Sequence, residues 1–336
     1  MGRSMSFRID PDRSIRKNAR RLAAGQLDAA LDALAQPGDL GLEETIHDVR
    51  KRCKKVRGLI RLVRPGLGGE YRRANAGARD AARELSPLRD AHALLGTFDD
   101  LIGATHGDRL PGDGLERVRA GLVLRATEAE RADADVLLER AGERLARVRG
   151  SLHRWKPEDD VAIVLSGLAD NHRAGRRAFR HALHQPTDEA LHEWRKRAKY
   201  GWYHARLLHP VAPSALNPLG RRLKDLSDGL GDDHDLAVLR TTILAAPRDF
   251  GGRGTTDQAV ALINGARADL QDRCLRLGGR LYAESPRALG QRVGRYWKAW
   301  HALGRERPVG EIADLAREPA DRPPDVADLL VGAARG

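Results

Sequence analysis

The sequence predicts an all-α protein built from two related halves, on three observations. No segment sustains β-branched alternation. Apolar residues recur at helical spacing along the Ala- and Leu-rich stretches. One stretch also occurs twice: a shift of 192 − 47 = 145 positions lays His47–Leu62 (HDVRKRCKKVRGLIRL) on His192–Leu207 (HEWRKRAKYGWYHARL). The register holds without a gap from Glu44/Glu189 to Leu94/Leu239, with 13 identities over 51 positions, against roughly four expected by chance. The expected architecture is two up-and-down four-helix bundles related by a pseudo-twofold, residues 6–150 and 151–304.

The elements follow in order. Asp10-Pro11 reads as a helix start, with Asp as cap and Pro in the first turn. An amphipathic helix over Ser14 to Leu34 then carries Arg16, Lys17, Arg20 and Arg21 before Gln-Pro-Gly breaks it. The repeated helix comes next and stops at Pro65. There Pro-Gly-Leu-Gly-Gly reads as a helix connection, because it lacks the Gly-Lys-Ser/Thr ending of a P-loop. From about Glu70 a third helix sets Arg72, Arg79, Arg83 and Asp90 opposite Ala74, Ala78, Ala81, Leu85 and Leu88, with Pro87 kinking or restarting it. Leu115 to Arg149 is expected as one long fourth helix of mixed surface charge.

After Lys156-Pro157 the scheme repeats. A helix over Asp160 to His184 carries His172, Arg173, Arg176, Arg177 and Arg180, and the second copy of the repeated helix lies between Pro186-Thr187 and His209-Pro210. The next helix places Arg221, Lys224, Asp228 and Asp235 opposite Leu216, Leu219, Leu223, Leu226 and Leu230. Thr255 and Gln258 read as a capping box for a last long helix. Ser285-Pro286 starts one more, whose Tyr296, Trp297 and Trp300 read as core. The Pro-, Arg- and Asp-rich chain over 305–336 reads as a disordered tail.

Charge bounds the function. The 59 Lys plus Arg against 47 Asp plus Glu leave a net charge of +12, so polyanions or acidic surfaces are the natural partners. No apolar run approaches the ~18 residues of a membrane span, and MGRSMSFRIDPDR has no apolar signal core, so a cytoplasmic, non-membrane protein is expected. Cys53 and Cys274 make no disulfide framework, and Cys53 falls on the apolar face of its helix.

On the first repeated helix, His47, Arg50, Lys54, Arg57 and Arg61 fall in an arc about 80° wide with Lys51 at its border, while Ile46, Val49, Cys53, Val56, Leu59, Ile60 and Val63 take the other side. His192, Arg195, Lys196, Lys199 and Arg206 repeat the stripe in the second half. Like charges three or four residues apart cost a few tenths of a kcal/mol per pair. A solvated face ordinarily mixes signs, so a single-sign stripe carried twice points to an anion.

The paired His-x-x-Arg-Lys-x-x-Lys helices, the endings LSPLRDAHALL and LGDDHDLAVLR, and the opening FRIDPDRSIRKNARRLA resemble the conserved histidine α-helical domain (CHAD) family over about Ser6 to Gly304. The resemblance implies two helical bundles flanking a basic cavity, inorganic polyphosphate as ligand, no cofactor, and a role at polyphosphate granules. In that picture Arg50, Lys54, Arg61, Arg195, Lys199 and Arg206 make charge-assisted hydrogen bonds to phosphate. Arg16, Arg20, Arg79, Arg83, Arg176, Arg180, Arg221 and Lys224 widen the groove, and Asp90 and Asp235 orient arginines. His47 and His192, among cations, should have lowered pKa values that an arriving phosphate raises.

Other partners fit less well. Aromatics are 4% of the chain, and none interleaves with the first stripe, which disfavours a base-stacking nucleic-acid surface. Trp194, Tyr200, Trp202 and Tyr203 on the second repeated helix leave single-stranded RNA as a minor alternative. An adaptor docking nucleic acid or an acidic protein remains the second reading. A metal-dependent phosphohydrolase is suggested only by the His47-Asp48 and His234-Asp235 pairs, which are not equivalent under the repeat. Some family members carry a triphosphate tunnel metalloenzyme domain with a Glu-x-Glu-x-Lys strand, which is absent here, so enzymatic turnover is not expected.

Overall fold

The computed structural model describes residues 7–37, 41–104, 114–129 and 134–304. The regular elements among them are helices: α1 (Ile15–Ala35), α2 (Leu42–Leu62), α3 (Gly69–Glu84), α4 (Pro87–Ala104), α5 (Gly114–Ala129), α6 (Ala134–Gly150), α7 (Val161–His184), α8 (Asp188–Leu208), α9 (Pro213–Ala245), α10 (Arg253–Leu281) and α11 (Pro286–Gly304). The described residues up to Gly294 form one compact unit, and the chain from Arg295 falls in a second. No described helix is long and apolar enough to cross a membrane. The segment read as a disordered tail lies outside the described residues.

Local chemistry sets most boundaries. Ser14, not Asp10, caps α1: its Oγ accepts from Lys17 N–H at 3.2 Å. Asp10 instead closes the preceding turn, its carbonyl accepting from Arg13 N–H and its carboxylate from Arg13 Nε. Thr187 caps α8 and Asp160 caps α7 through their side chains. Pro87 restarts the chain as α4, whereas the equivalent position, 87 + 145 = 232, is Asp, and α9 runs through it unbroken. The capping box expected at Thr255 is not formed. Gly251 (φ 86°) and Gly252 (φ 89°) turn the chain so that α10 already begins at Arg253, which leaves Thr255 inside the first turn.

Of the stretch expected as one helix, Leu115 to Arg149, the described residues are helical, as α5 and α6, and residues 130–133 between them lie outside the described residues. The halves have different partners: α6 packs on α1 and α3, whereas α5 packs on α4, α10 and the turn at Pro247–Phe250. Helices α1, α2, α3 and α6 are successive neighbours, as are α7, α8, α9 and, against α9, α10. The first-half helices α4 and α5 do not close on their own half alone. They share an apolar cluster with the far ends of α9 and α10, built on Phe98, Leu122, Leu239, Ile243, Phe250 and Ile263.

The apolar face of α2 is buried as its spacing predicts. Ile46, Val49, Cys53, Val56, Leu59 and Ile60 are at most 2% exposed, and burial pushes the Cys53 thiol up to about 12. In the second half Trp194, Leu226, Leu230 and Tyr282 make the corresponding core. Trp297 is likewise buried, whereas Tyr296 and Trp300, also expected as core, are half-buried.

The repeated helices α2 and α8 pack on each other. Gly58 permits the approach: a Cβ there would lie 2.8 Å from Tyr203 Cβ. Since 58 + 145 = 203, the contact joins equivalent positions of the repeat. One residue on, buried His204 donates from Nε2 to the Gly58 carbonyl at 3.1 Å.

Candidate polyanion-binding site

Each cation of the two stripes is placed by a helix whose opposite face is core. On α2, His47 and Lys51 are exposed, and Arg50, Lys54, Arg57 and Arg61 are half-buried. Arg50 Nη1 donates to the Ala82 carbonyl at 2.7 Å and to Ser86 Oγ at 2.5 Å, which fixes its guanidinium at the α3–α4 junction. Arg57 Nε donates to Asn75 Oδ1 at 3.2 Å. Arg61 lies 4.2 Å from the centroid of the Tyr200 ring, a cation–π contact reaching from α2 to α8.

On α8 the stripe meets carboxylates of α9. Arg195 is 3.8 Å from Asp235, Lys199 is 3.3 Å from Asp228, and Lys224 reaches the other oxygen of Asp228 at 2.6 Å. Gly231 leaves room for Arg195, since a Cβ there would fall 2.9 Å from Nη2. Lys196 and Arg197 both pair with Glu193 of their own helix. Lys199 and Arg206 share the face of Trp202, at 4.5 and 5.2 Å from its centroid. Arg206, Arg221 and Lys224 line one groove with Arg8 and His209.

The cations expected to widen the groove divide into groups. Arg16 donates to the Pro157 carbonyl at 3.4 Å, and Arg20 to the carbonyls of Trp155 and His153 at 2.8 and 2.6 Å. Both guanidiniums thus hold the segment that joins the halves. Arg79 pairs with Asp80 at 2.7 Å, with Arg83 at 3.9 Å from the same carboxylate. Arg176 is half-buried beside His172, and Arg180 is exposed. Asp90 lies exposed in the first turn of α4.

The site is electrostatically crowded. Burial, then the neighbouring cations Arg52, Lys51 and Arg206, holds the Lys55 ammonium down at about 8. His192 is packed on His234 with ring centroids 4.3 Å apart. Burial first, then His234, Lys196 and Arg195, lowers its pKa to about 4. His234 is lowered by burial and by Arg195.

Sequence reasoning missed the His192–His234 pair, because the position equivalent to His234 is Arg89. It also missed Tyr200 as a platform for Arg61; the signal was its place where the first repeat carries Lys55. The aromatic group that kept RNA in view is mostly core: Trp194, Tyr200 and Tyr203 are at most 5% exposed. Among the described residues no three His, Cys, Asp or Glu side chains gather as a metal-ligand set.

The chain matches the family model for the CHAD domain over residues 14–244. It is also 25% identical over 244 residues to two uncharacterized proteins of Mycobacterium tuberculosis, from strains H37Rv and Oshkosh, in alignments covering 69% of this chain and 46% of each relative. The chain therefore spans about half the length of these curated relatives. With a family match running from the cap of α1 to the end of α9, this protein belongs to the CHAD-domain family.

Proposed function

We propose that the protein binds inorganic polyphosphate in a basic cavity between two duplicated helical bundles, residues 6–150 and 151–304. Its role is binding and not turnover, and it acts in the cytoplasm at polyphosphate granules. The observation that carries this reading is the pair of repeated single-sign stripes on helices that touch at equivalent positions, Gly58 and Tyr203. Contact between equivalent positions is what a pseudo-twofold through the α2–α8 crossing requires, and such an axis brings one stripe to each side of a common space. The sharing of α4 and α5 with the second half means that the bundles are interlocked and not independent.

Charges of one sign held this close repel one another. A string of phosphates relieves that repulsion at every step along the stripes. Each charge-assisted hydrogen bond then contributes about 1.5–3 kcal/mol. A ligand that is all phosphate and no base suits a site whose aromatics lie largely in the core or under its cations.

The alternative, an adaptor that docks nucleic acid or an acidic protein, uses the same cations. Competition at equal phosphate concentration separates the two. Long-chain polyphosphate should displace a labelled polyphosphate at concentrations where duplex DNA, ATP and phosphate do not. Displacement by DNA at equal or lower concentration would favour the adaptor.

A further inference from the structure

We propose that a pocket where the end of α2 meets α7 and α8 is a site for a terminal phosphate group, either orthophosphate or the end of a polyphosphate chain. Its walls include Arg61, Arg64, Arg173, Arg177 and Arg197, with Asp170 as the one carboxylate among them. Arg197 stands about 170° round α8 from the middle of the stripe formed by His192, Arg195, Lys199 and Arg206. The pocket therefore opens on a different side of that helix.

The site is built before any ligand arrives. Gly167 brings α7 against the end of α2 so closely that a Cβ would lie 1.9 Å from the Leu62 carbonyl oxygen, which fixes the two walls. Tyr200 supports the Arg61 guanidinium from below, and Arg64 lies 4.9 Å from the Tyr71 centroid. Arg173 is neutralised by Asp170 and Arg197 by Glu193. Arg61, Arg64 and Arg177 have no carboxylate partner among the described residues.

The ligand class follows from charge, and Asn171, which lines the pocket and is 8% exposed, holds the wall. Its Nδ2 donates to the Arg197 carbonyl at 3.1 Å, which assigns the amide, and its Oδ1 has no hydrogen-bond partner among the described residues. The buried Nε of Arg61 is in the same position. A pocket that sets five guanidiniums against a single carboxylate suits the anion with the most charge per phosphate group. Interior phosphates of a polymer have only one ionisable oxygen, already ionised at neutral pH. A terminal phosphate has a second ionisation near pH 6, so about neutrality it is largely a dianion, and guanidiniums beside it favour that form. The guanidiniums of the pocket therefore meet two charges on a terminal phosphate and one on an interior phosphate.

The proposal rests on the polyphosphate reading only where the polymer supplies the terminal group. The test compares linear tripolyphosphate with cyclic trimetaphosphate, which has the same number of phosphorus atoms and no terminal group. Binding is followed by calorimetry on three folded proteins: wild type, Arg64→Gln/Arg177→Gln in the pocket, and Lys199→Gln/Arg206→Gln in the stripe. Wild type should prefer the linear anion by about tenfold, the worth of one charge-assisted hydrogen bond. The pocket variant should lose that preference while keeping long-chain affinity within about threefold, less than one such bond. The stripe variant should keep the preference and lose long-chain affinity. Orthophosphate that binds wild type and competes with tripolyphosphate assigns the free ion as source, and its failure to do so assigns the chain end. Equal binding of linear and cyclic anions, or a preference lost in the stripe variant and kept in the pocket variant, overturns the site. Neither result touches the polyphosphate reading, which fails only if long chains do not bind wild type.

Discussion

His204 makes the crossing of the repeated helices sensitive to acid. The ring is fully buried, its Nε2 donates to the Gly58 carbonyl, and its Nδ1 has no partner among the described residues. Burial, opposed by that carbonyl and reinforced by Arg61, holds the pKa down at about 3 against 6.5 for a free histidine. Between those two values the unfolded chain carries a proton that the folded one refuses, so stability falls as pH falls. The loss is about 1.4 kcal/mol per pH unit below 6.5, or roughly 2 kcal/mol at pH 5, a substantial share of a total of about 5–15 kcal/mol. His172, His192 and His234 are also lowered, so the quantity to read is a difference between proteins. Urea unfolding of wild type and His204→Asn at pH 7.5 and pH 5 supplies it. Wild type should lose about 2 kcal/mol more than the variant between the two pH values. Equal losses would show that His204 does not titrate as its burial requires.

Three further outcomes follow from the packing and the charges. Gly167→Ala drives a Cβ into the Leu62 carbonyl, so despite a gain of up to about 1 kcal/mol in helix propensity it should lower stability by about 1–3 kcal/mol in a urea titration. Arg267→Met leaves Asp233, 1% exposed, without the guanidinium that holds it at 2.9 Å, and should cost about 3–5 kcal/mol in the same assay. His192, at about 4 in the ligand-free protein, is neutral at pH 7; a phosphate beside it raises that value. Polyphosphate should then bind with proton uptake and tighten from pH 7 to pH 5. Calorimetry in buffers of different ionisation heat reads the uptake, and His192→Asn should flatten both effects.

The part of this fold legible in the sequence is the part set by local chemistry and helical period. The buried face of α2, the restart at Pro87 and the start of α8 after Pro186-Thr187 each follow from residues within a turn or two of the effect. The different partners of α5 and α6 were not legible, because both read as one Ala- and Leu-rich run; contacts with α10 and with α1, far off in the chain, tell them apart. The cations behave similarly. Sequence spacing placed Arg50, Arg195 and Lys199 on stripes, but only tertiary structure shows Arg50 holding the α3–α4 junction or Arg20 holding the carbonyls of Trp155 and His153. A guanidinium is as good a partner for a backbone carbonyl as for a phosphate, and the sequence does not say which is nearer. The pocket formed by Arg64, Arg173, Arg177 and Arg197 was hidden for the opposite reason: its members come from three elements and follow no single periodicity.

The most direct test of the polyphosphate account is calorimetric titration of long-chain polyphosphate into wild type and into Lys54→Gln/Arg195→Gln/Lys199→Gln/Arg206→Gln at two salt concentrations. This set spares Arg50, which is tied into the α3–α4 junction, and circular dichroism checks that both proteins are folded. The account predicts tight, salt-weakened binding by wild type. It predicts a marked loss in the variant, with the slope of log affinity against log salt shallower by about 0.7 per cation removed, or roughly 3 for four. Equal affinity and equal salt dependence in the two proteins would contradict it and make the repeated stripes ordinary basic surface.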